Sequence, residues 1–328
     1  MNELQSLYKQ DYPAFIEPYL ASKSMQRLKG VDMNCGLQFT SNTGFSSYGP
    51  YSRYEHSVGV ACIIWRFTHD KKQTLAGLFH DISTRVFSHV IDFVKKDYLV
   101  QESTEDETRQ IILQDSVIMN QLLCDGISVD EVSDYHLYPI ADNDTPRLSS
   151  DRLEYTLGNL LNYRKHTIKE IEKYFNDLVV GISEYGSQEI MFQHLGIAEE
   201  FAFGALSCGI IYSCDFDRYG MEKLACILRK AFEEKILTES DLYLTEIEVI
   251  KKLSESCLHD AWNEYTRLQD VTKDFAGDLM VDAKKRYIDP YICKHGRVTT
   301  FSAAFKNAAN EFKNTDYHYL MKGIYRNG

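Results

Sequence analysis

Helix-breaking residues are scarce in this sequence. Only 6 prolines and 18 glycines occur among 328 residues, whereas 44% of the residues are hydrophobic. Because turn-rich β proteins need many glycines and prolines, this composition argues against that class and favours a mainly helical chain. A chain of this length can bury a large core, in one large domain or in two closely packed ones.

Cysteine motifs and long apolar runs are also missing. The eight cysteines are scattered and no two are spaced as C-x-x-C, so a cysteine-based zinc site is not expected. The longest apolar run, residues 201–212, is too short to span a bilayer. The first residues, MNELQ, are polar and acidic, unlike a secretory signal peptide. We therefore expect a soluble cytoplasmic protein with reduced thiols and no membrane partner.

Basic side chains are outnumbered by acidic ones. The chain carries 36 lysines and arginines against 48 aspartates and glutamates, a formal net charge of -12. Such a surface repels polyphosphate backbones at long range, so general binding of nucleic acid is not expected. A small anionic substrate remains compatible with this charge if basic side chains line its site.

A lone histidine and an adjacent His-Asp pair form the most informative pattern. His56 is followed, after a predicted helix, by His80 and Asp81. Two imidazoles and a carboxylate from consecutive helices suit a divalent transition metal such as Mn, Fe, Co, Ni or Zn. Ordinary explanations also exist, since buried histidines often have a partner and a helix C-terminus favours a histidine. The same C-terminal dipole disfavours Asp81, which indicates a functional role for the pair.

Periodicity around these residues predicts the helices that carry them. Ser52 followed three residues later by Glu55 is typical of a capping box, so a helix is expected to begin at Ser52. His56 shares the apolar stripe of that helix and should point inward. The next helix is predicted over residues 72–82, and a short one over residues 86–96.

A fourth ligand is expected from farther along the chain, and Asp151 is the candidate. Asp151 opens a predicted helix whose leucines form an apolar stripe, and Tyr155 shares a different face with it. An acidic residue in the first turn of a helix is common, so Asp151 also has a purely structural explanation.

The remaining pattern predicts an all-α fold with small β-hairpins. Residues 165–285 are interpreted as successive helices, and hairpins are expected near residues 35–50 and over residues 286–301. Residues 1–165 should form a metal-binding core. Residues 166–328 should form a helical extension packed on that core within the same compact domain.

The order of these motifs resembles that of the HD-domain phosphohydrolase superfamily. That superfamily is named for its His-Asp pair, which is flanked by an earlier histidine and a distant aspartate. Three segments here resemble its deoxynucleoside triphosphate triphosphohydrolase branch: Arg53-x-x-His56-Ser57-x-Gly59, Phe87-Ser88-His89 and Asp151-Arg152-Leu153-Glu154-Tyr155. The resemblance covers residues 25–165 and implies an HD-domain helical bundle, followed here by the helical C-terminal extension.

The resemblance also implies roles for individual residues. The implied ligands of one metal ion are His56, His80, Asp81 and Asp151. Arg53 and Arg152 would bind phosphate, because the planar guanidinium pairs with two oxygens. Tyr155 would donate a hydrogen bond to phosphate or sugar. Arg85, four residues after Asp81, is positioned to face the same cleft.

The sequence departs from the branch at its catalytic histidines. Ser83-Thr84-Arg85-Val86 replaces the frequent Gly-His-Gly-Pro, so Thr84 stands where a catalytic histidine would be. Thr104 and Glu105 occupy the region of a later His-Glu pair. Threonine cannot serve as a proton donor near neutral pH as histidine can. The acid or base is therefore expected to be His89, Glu105 or another group.

Three functions follow as hypotheses. The first is a metal-dependent phosphohydrolase that cleaves a phosphoester of a nucleotide or another small phosphorylated metabolite. The second is a non-catalytic regulatory module that binds a metal and a nucleotide, which the missing histidines favour. Cleavage of a cyclic dinucleotide is disfavoured because the Gly-Tyr-Pro element of that branch is absent. A homo-oligomer is compatible with the sequence.

Overall fold

The computed structural model describes residues 3–46, 51–95 and 107–327. These residues are predominantly helical with a few short strands, so the predicted all-α class is confirmed. The α-helices are, in chain order, α1 (Glu3–Leu7), α2 (Glu17–Leu20), α3 (Lys23–Arg27), α4 (Thr43–Ser46), α5 (Arg53–Thr68), α6 (Lys71–Phe79), α7 (Val90–Val94), α8 (Thr108–Gln114), α9 (Ser116–Asp125), α10 (Ser150–Asn162), α11 (Ile168–Asn176), α12 (Leu195–Ile211), α13 (Asp215–Glu233), α14 (Glu246–Ser254), α15 (His259–Thr266), α16 (Val298–Phe301) and α17 (Ala303–Asn314). The strands are β1 (Leu178–Ile182), β2 (Gln188–Phe192), β3 (Leu268–Lys273), β4 (Tyr291–Ile292), β5 (Gly296–Arg297) and β6 (Met321–Tyr325).

The strands form two small sheets. The first has the order β1-β2-β4-β5, in which β2 and β4 are parallel and the other pairs are antiparallel. The second is the antiparallel pair of β3 and β6. The hairpin predicted over residues 286–301 is therefore present as β4 and β5.

The other predicted hairpin, near residues 35–50, is wrong within its described part. Residues 35–46 form a short 3₁₀ helix at Leu37–Phe39 and then helix α4, and residues 47–50 lie outside the described ranges. Cys35 and Gly36 have φ values of 54° and 82°. This left-handed backbone turns the chain instead of extending it as a strand.

The prediction of helices throughout residues 165–285 is also wrong, because β1, β2 and β3 lie there. β1 has the sequence LVVGI, in which adjacent β-branched residues favour a strand and a glycine disfavours a helix. β2 supplies the partner along its whole length. The pairing of two distant segments decided the conformation of residues whose own periodicity was ambiguous.

Helices α5 and α6 carry the first predicted ligands, and they approach closely. The predicted capping box is confirmed, because Ser52 accepts from the N–H of Glu55 while the Glu55 carboxylate accepts from the N–H of Ser52. A Cβ on Gly77 would lie 2.2 Å from Cδ1 of Ile64, so a larger residue here would require the Ile64 side chain to move. Gly77 precedes His80 by one turn. The bare backbone therefore brings His80 toward α5.

One hydrophobic core joins the predicted metal-binding segment to the predicted extension. It includes Ile63 of α5 and Leu157 of α10, together with Phe201 of α12 and Phe305 of α17. Helix α10 packs against both α5 and α12, which fixes the position of its first turn relative to His56. The division of the chain at residue 165 stays a prediction.

Helix α12 is the most apolar of the long helices, and Phe201, Ala202 and Ala205 lie in the core. Across the described ranges, no single helix is long and apolar enough to cross a membrane. Only α12 and α13 taken together, with a bend of 44° between them, reach the length and composition of such a span.

Helix α14 is tied to the N-terminal loop by a buried carboxylate. Glu246 accepts from the N–H of Asp32 at 3.1 Å and from the Gln38 amide at 2.8 Å. Burial, together with the nearby Asp32 carboxylate, raises the pKa of Glu246 from 4.5 to about 8. Because the folded pKa is raised, the proton stabilises the fold fully below pH 4.5, and this stability is lost as the pH rises toward 8.

The Glu246→Gln variant should therefore gain stability relative to the wild type as the pH increases. Since one pKa unit corresponds to about 1.4 kcal/mol, we expect the difference in free energy of unfolding to change by more than about 1 kcal/mol between pH 5 and pH 8. Urea unfolding at the two pH values measures it. Glu255→Gln, an exposed change at the other end of α14, serves as the control. An equal pH dependence in all three proteins would contradict the expectation.

Candidate metal centre

Four predicted ligands from three helical elements meet at one point. His56 lies on α5, His80 and Asp81 follow the end of α6, and Asp151 lies in the first turn of α10. His56 Nε2 is 3.1 Å from His80 Nε2 and 3.0 Å from Asp151 Oδ1. Asp81 Oδ2 lies 3.8 Å from the first imidazole nitrogen and 3.6 Å from the second. The structure thus brings together residues that are up to 95 positions apart in the sequence.

These separations fit a single divalent ion. Metal–ligand distances of about 2.0–2.2 Å place neighbouring ligands of an octahedral ion about 3 Å apart. Donor atoms of His56, His80 and Asp151 all lie within 4.8 Å of one another. Two imidazole nitrogens that face each other with carboxylate oxygens between them are the mixed donor set that transition metals prefer.

Each imidazole is oriented by a hydrogen bond on its other nitrogen. His80 Nδ1 donates to the carbonyl of Gly77 at 2.7 Å. His56 Nδ1 lies 2.5 Å from Oε2 of Glu154, which also accepts from the Tyr51 hydroxyl. With Nδ1 protonated in both rings, each Nε2 presents a lone pair to the centre.

Glu154 is a site residue that the sequence reasoning missed. It is 1% exposed and comes three residues after Asp151, so it shares a side of α10 with that ligand. A buried carboxylate behind a ligand histidine raises the basicity of the imidazole and fixes its tautomer. An acidic residue at that spacing, inside the leucine-rich pattern of α10, is the signal that could have revealed it.

The electrostatics of the centre favour a cation. Burial lowers the pKa of His56, but the carboxylates of Asp151 and Glu154 outweigh burial and raise it to about 10. Burial raises the pKa of Asp81, but the Arg53 guanidinium and the two imidazoles hold it well below its ordinary value. The donor set therefore attracts positive charge, and a divalent ion would satisfy it while displacing a proton from His56.

Arg53 is hydrogen-bonded to Asp81, one of the predicted metal-ligating residues. Its Nη1 donates to Asp81 Oδ2 at 2.9 Å and its Nε donates to Ser88 Oγ at 3.1 Å, while the residue is 7% exposed. Thr84, which stands where the motif resemblance implies a histidine, donates to the other oxygen of Asp81 at 2.7 Å. Arg53 and Thr84 thus hold the Asp81 carboxylate from two sides, so both have a positioning role.

The other two predicted arginines are held by nearby loops. Arg152 forms an ion pair with Asp142 at 3.0 Å and donates to the carbonyl of Arg147 at 2.7 Å. Arg85 is buried and pairs with Glu107 at 2.6 Å. Among the described residues, Arg85 is not part of the cavity lining, whereas Arg53 and Arg152 are.

A cavity of about 710 Å³ opens above the predicted ligands. Tyr155 and His89 line it, together with residues of α13 and of the segment that precedes β4. This volume is large enough for a nucleotide-sized molecule. The metal centre therefore lies at the surface of a cleft that can hold a small substrate.

His89 follows two residues with an unusual backbone and has a defined partner. Phe87 and Ser88, which precede it, have φ values of 58° and 50°. Left-handed conformations in two consecutive non-glycine residues are strained and cluster at functional sites. His89 Nδ1 lies 3.0 Å from Asp92 Oδ2, and burial lowers the pKa of His89. The second predicted acid–base candidate, Glu105, lies outside the described residues.

Replacing Glu154 should weaken metal binding without removing a ligand. In Glu154→Gln, the side-chain oxygen can still accept from His56 but the negative charge is lost. Replacing a residue that hydrogen-bonds to a metal-ligating histidine lowers metal affinity by about 10- to 100-fold. Competition with a fluorescent chelator measures this. Glu189→Gln removes a fully buried carboxylate that pairs with Arg297 far along the chain, and it should leave the affinity unchanged. An affinity of Glu154→Gln within twofold of the wild type would refute the assignment.

Two known proteins are similar to this chain in sequence. No family model matches the chain. The chain is 27% identical over 317 residues to the uncharacterized protein YdhJ of Bacillus subtilis, covering 94% of this chain and 93% of that protein. It is 29% identical over 171 residues to the metal-dependent phosphohydrolase cns2 of Cordyceps militaris, covering 51% of this chain and 46% of that protein.

Two solved structures share the fold. A phosphohydrolase from Bacteroides thetaiotaomicron matches with a TM-score of 0.59 at 13% identity, over 93% of this chain and 94% of that chain. A hypothetical protein from Aquifex aeolicus matches with a TM-score of 0.54 at 20% identity, over 80% of this chain and 75% of that chain. At these identities the likeness shows the fold, while the site argument depends on the residues themselves.

Proposed function

We propose that this chain is a metal-dependent phosphohydrolase of the HD-domain superfamily, and that it hydrolyses a phosphoester of a nucleotide or another small phosphorylated metabolite. The observation that carries this proposal is the meeting of His56, His80, Asp81 and Asp151 beside a cavity of about 710 Å³. A divalent metal held by these residues would supply a Lewis acid that polarises a phosphoryl oxygen. The mixed nitrogen and oxygen donors favour Mn, Fe, Co, Ni or Zn.

The protein's own residues supply the remaining chemistry. His89 lines the cavity and, because burial lowers its pKa, it is neutral at pH 7 and can accept a proton from the attacking water. Tyr155 lines the same cavity one turn after Asp151 and can donate to a phosphate or sugar oxygen. Arg53 fixes the Asp81 carboxylate, and the pair of Arg152 with Asp142 also lines the cavity.

We favour a substrate other than a nucleoside triphosphate. The triphosphohydrolase branch uses a histidine where this chain has Thr84, and Thr84 donates its hydroxyl hydrogen to Asp81. Its side chain is thus committed to a predicted ligand. His89 is a half-buried histidine of the cavity lining, outside the ligand set, and its Nδ1 lies 3.0 Å from the Asp92 carboxylate.

Phosphate release from a panel of nucleotides and sugar phosphates tests the proposal. The purified protein is loaded in turn with Mn, Fe, Co, Ni and Zn, and we expect turnover of at least one ester that a chelator abolishes. Saturable nucleotide binding without turnover under any metal would instead favour the non-catalytic regulatory module, which the threonines at positions 84 and 104 also allow.

A further inference from the structure

A segment far from the predicted ligands contributes basic residues to the cavity. Residues 274–290, called the strap here, connect β3 to β4 without regular secondary structure. Lys284 and Arg286 of the strap line the cavity, and so do Asp282 and Tyr287. The strap lies outside residues 25–165, where the family resemblance is found.

Backbone contacts fix the strap on both sides of Arg286. The Arg218 guanidinium donates to the carbonyl of Val281, and the N–H of Asp289 donates to the carbonyl of Pro146 at 2.9 Å. The carbonyl of Arg286 itself packs on α12, since a Cβ on Gly209 would lie 2.2 Å from that oxygen. The position of the Arg286 backbone is therefore set by close packing.

Neighbouring basic side chains of the strap have different surroundings. Lys284 and Arg286 line the cavity, whereas Lys285 between them donates to the carbonyls of Lys313 at 2.5 Å and Thr315 at 2.6 Å. Lys285 is thus a basic neighbour of equal charge that faces away from the site.

Three arginines from other segments line the cavity and each pairs with a carboxylate. Arg53 pairs with Asp81 at 2.9 Å, Arg152 with Asp142 at 3.0 Å, and Arg218 with Asp215 at 2.7 Å. Such close pairs offset each charge and restrict the direction of the guanidinium. These arginines therefore build the walls of the cavity.

The charge of Arg286 acts on three groups of the cavity. Burial lowers the pKa of His89, and the Arg286 charge lowers it further. Burial raises the pKa of Tyr155, and the Arg286 charge opposes this rise. Burial also raises the pKa of Asp217 well above its ordinary value against the charges of Arg218 and Arg286. Arg286 therefore lies near the predicted base and the predicted hydrogen-bond donor.

We infer that Arg286, which the strap places in the wall of the cavity, binds the phosphoryl group of the substrate through its guanidinium. The inference rests on the proposed function, which identifies the substrate as a phosphate ester. A guanidinium suits this role because its planar fork donates to two phosphate oxygens at once. The location near His89 and Tyr155 places the charge where both residues can contact the same ligand.

Titration of the manganese-loaded protein with inorganic phosphate tests the inference. Arg286→Gln should raise the Kd for phosphate about tenfold or more, because a charged hydrogen bond is lost. Arg286→Lys keeps the charge without the fork and should give an intermediate Kd. Lys285→Gln removes the same charge one residue away and should stay within twofold of the wild type. Metal content and thermal unfolding are measured for every variant.

Either of two results would overturn the inference. One is a Kd of Arg286→Gln within twofold of the wild type, and the other is an equal loss of affinity in Lys285→Gln. If Arg286→Gln does not fold, the Arg286→Lys variant tests the inference instead. A wild-type Kd for phosphate in Arg286→Lys would show that the guanidinium of Arg286 does not bind phosphate. Since the probe is inorganic phosphate, a protein that binds it through Arg286 but cleaves no ester refutes the proposed function and leaves this inference standing.

Discussion

Replacing Asp81 with alanine is expected to abolish metal retention and to lower phosphoester hydrolysis by about 1,000-fold or more. The Asp81 carboxylate lies within 3.8 Å of both imidazole nitrogens and pairs with Arg53 at 2.9 Å. Its removal deletes a predicted ligand and leaves the buried Arg53 charge without its counterion beside the remaining ligands. A buried cation there repels a metal ion. Elemental analysis of the purified variant and initial rates at saturating metal measure the two effects.

A matched variant separates this effect from the general loss of an ion pair. Asp11 pairs with Arg66 at 2.9 Å, the same chemistry and distance, and neither residue lines the cavity among the described residues. Asp11→Ala should keep both its metal and its activity. If Asp81→Ala retained a full complement of metal, the proposed ligand set would be wrong.

Replacing His89 with glutamine should lower kcat by about 10²- to 10⁴-fold while the metal stays bound. His89 lines the cavity, and its Nδ1 lies 3.0 Å from Asp92, which orients the ring. Burial lowers its pKa below the ordinary value of 6.5, so the neutral base persists as the pH falls and is lost only in more acidic solution. The acid limb of kcat/KM should therefore lie below pH 6.5 in the wild type and be absent from His89→Gln. Rates measured from pH 4.5 to pH 8 test this.

The His194–Asp177 pair provides the control for His89. His194 Nδ1 lies 2.5 Å from Asp177 Oδ1, but this exposed histidine is not among the described residues of the cavity lining. His194→Gln should leave kcat and its pH profile unchanged. An unchanged kcat in His89→Gln would assign proton transfer to another group and remove His89 from the mechanism.

Features that depend on neighbouring residues were predictable from the sequence. The capping box of Ser52 and Glu55 starts α5 where the sequence placed it, and the apolar stripe turns His56 inward to 1% exposure. Such signals are local, because capping and helical periodicity involve residues three or four positions apart. By contrast, β1 and β2 were mistaken for helix because pairing between strands is not encoded in either strand alone.

The carboxylate partners of the charged side chains were not part of the sequence-based prediction. Arg53 and Arg152 stand beside predicted ligands in the chain, and the structure pairs each of them with a carboxylate. Arg286, more than 130 positions after Asp151, is the arginine that the strap brings to the cavity. The partner of a long, flexible side chain is decided by what the fold packs around it, which local spacing does not encode.

The sequence by itself determined the class of fold and the candidate ligand types, because composition, periodicity and residue chemistry are properties of the chain. Only the tertiary structure decided that His56, His80, Asp81 and Asp151 lie within reach of one ion, and that Glu154 stands behind His56. The packing of α10 against α5 and of the strap against α12 sets those distances. A metal centre requires donor atoms placed to within a fraction of an ångström, and close packing between distant segments is the interaction that achieves this placement.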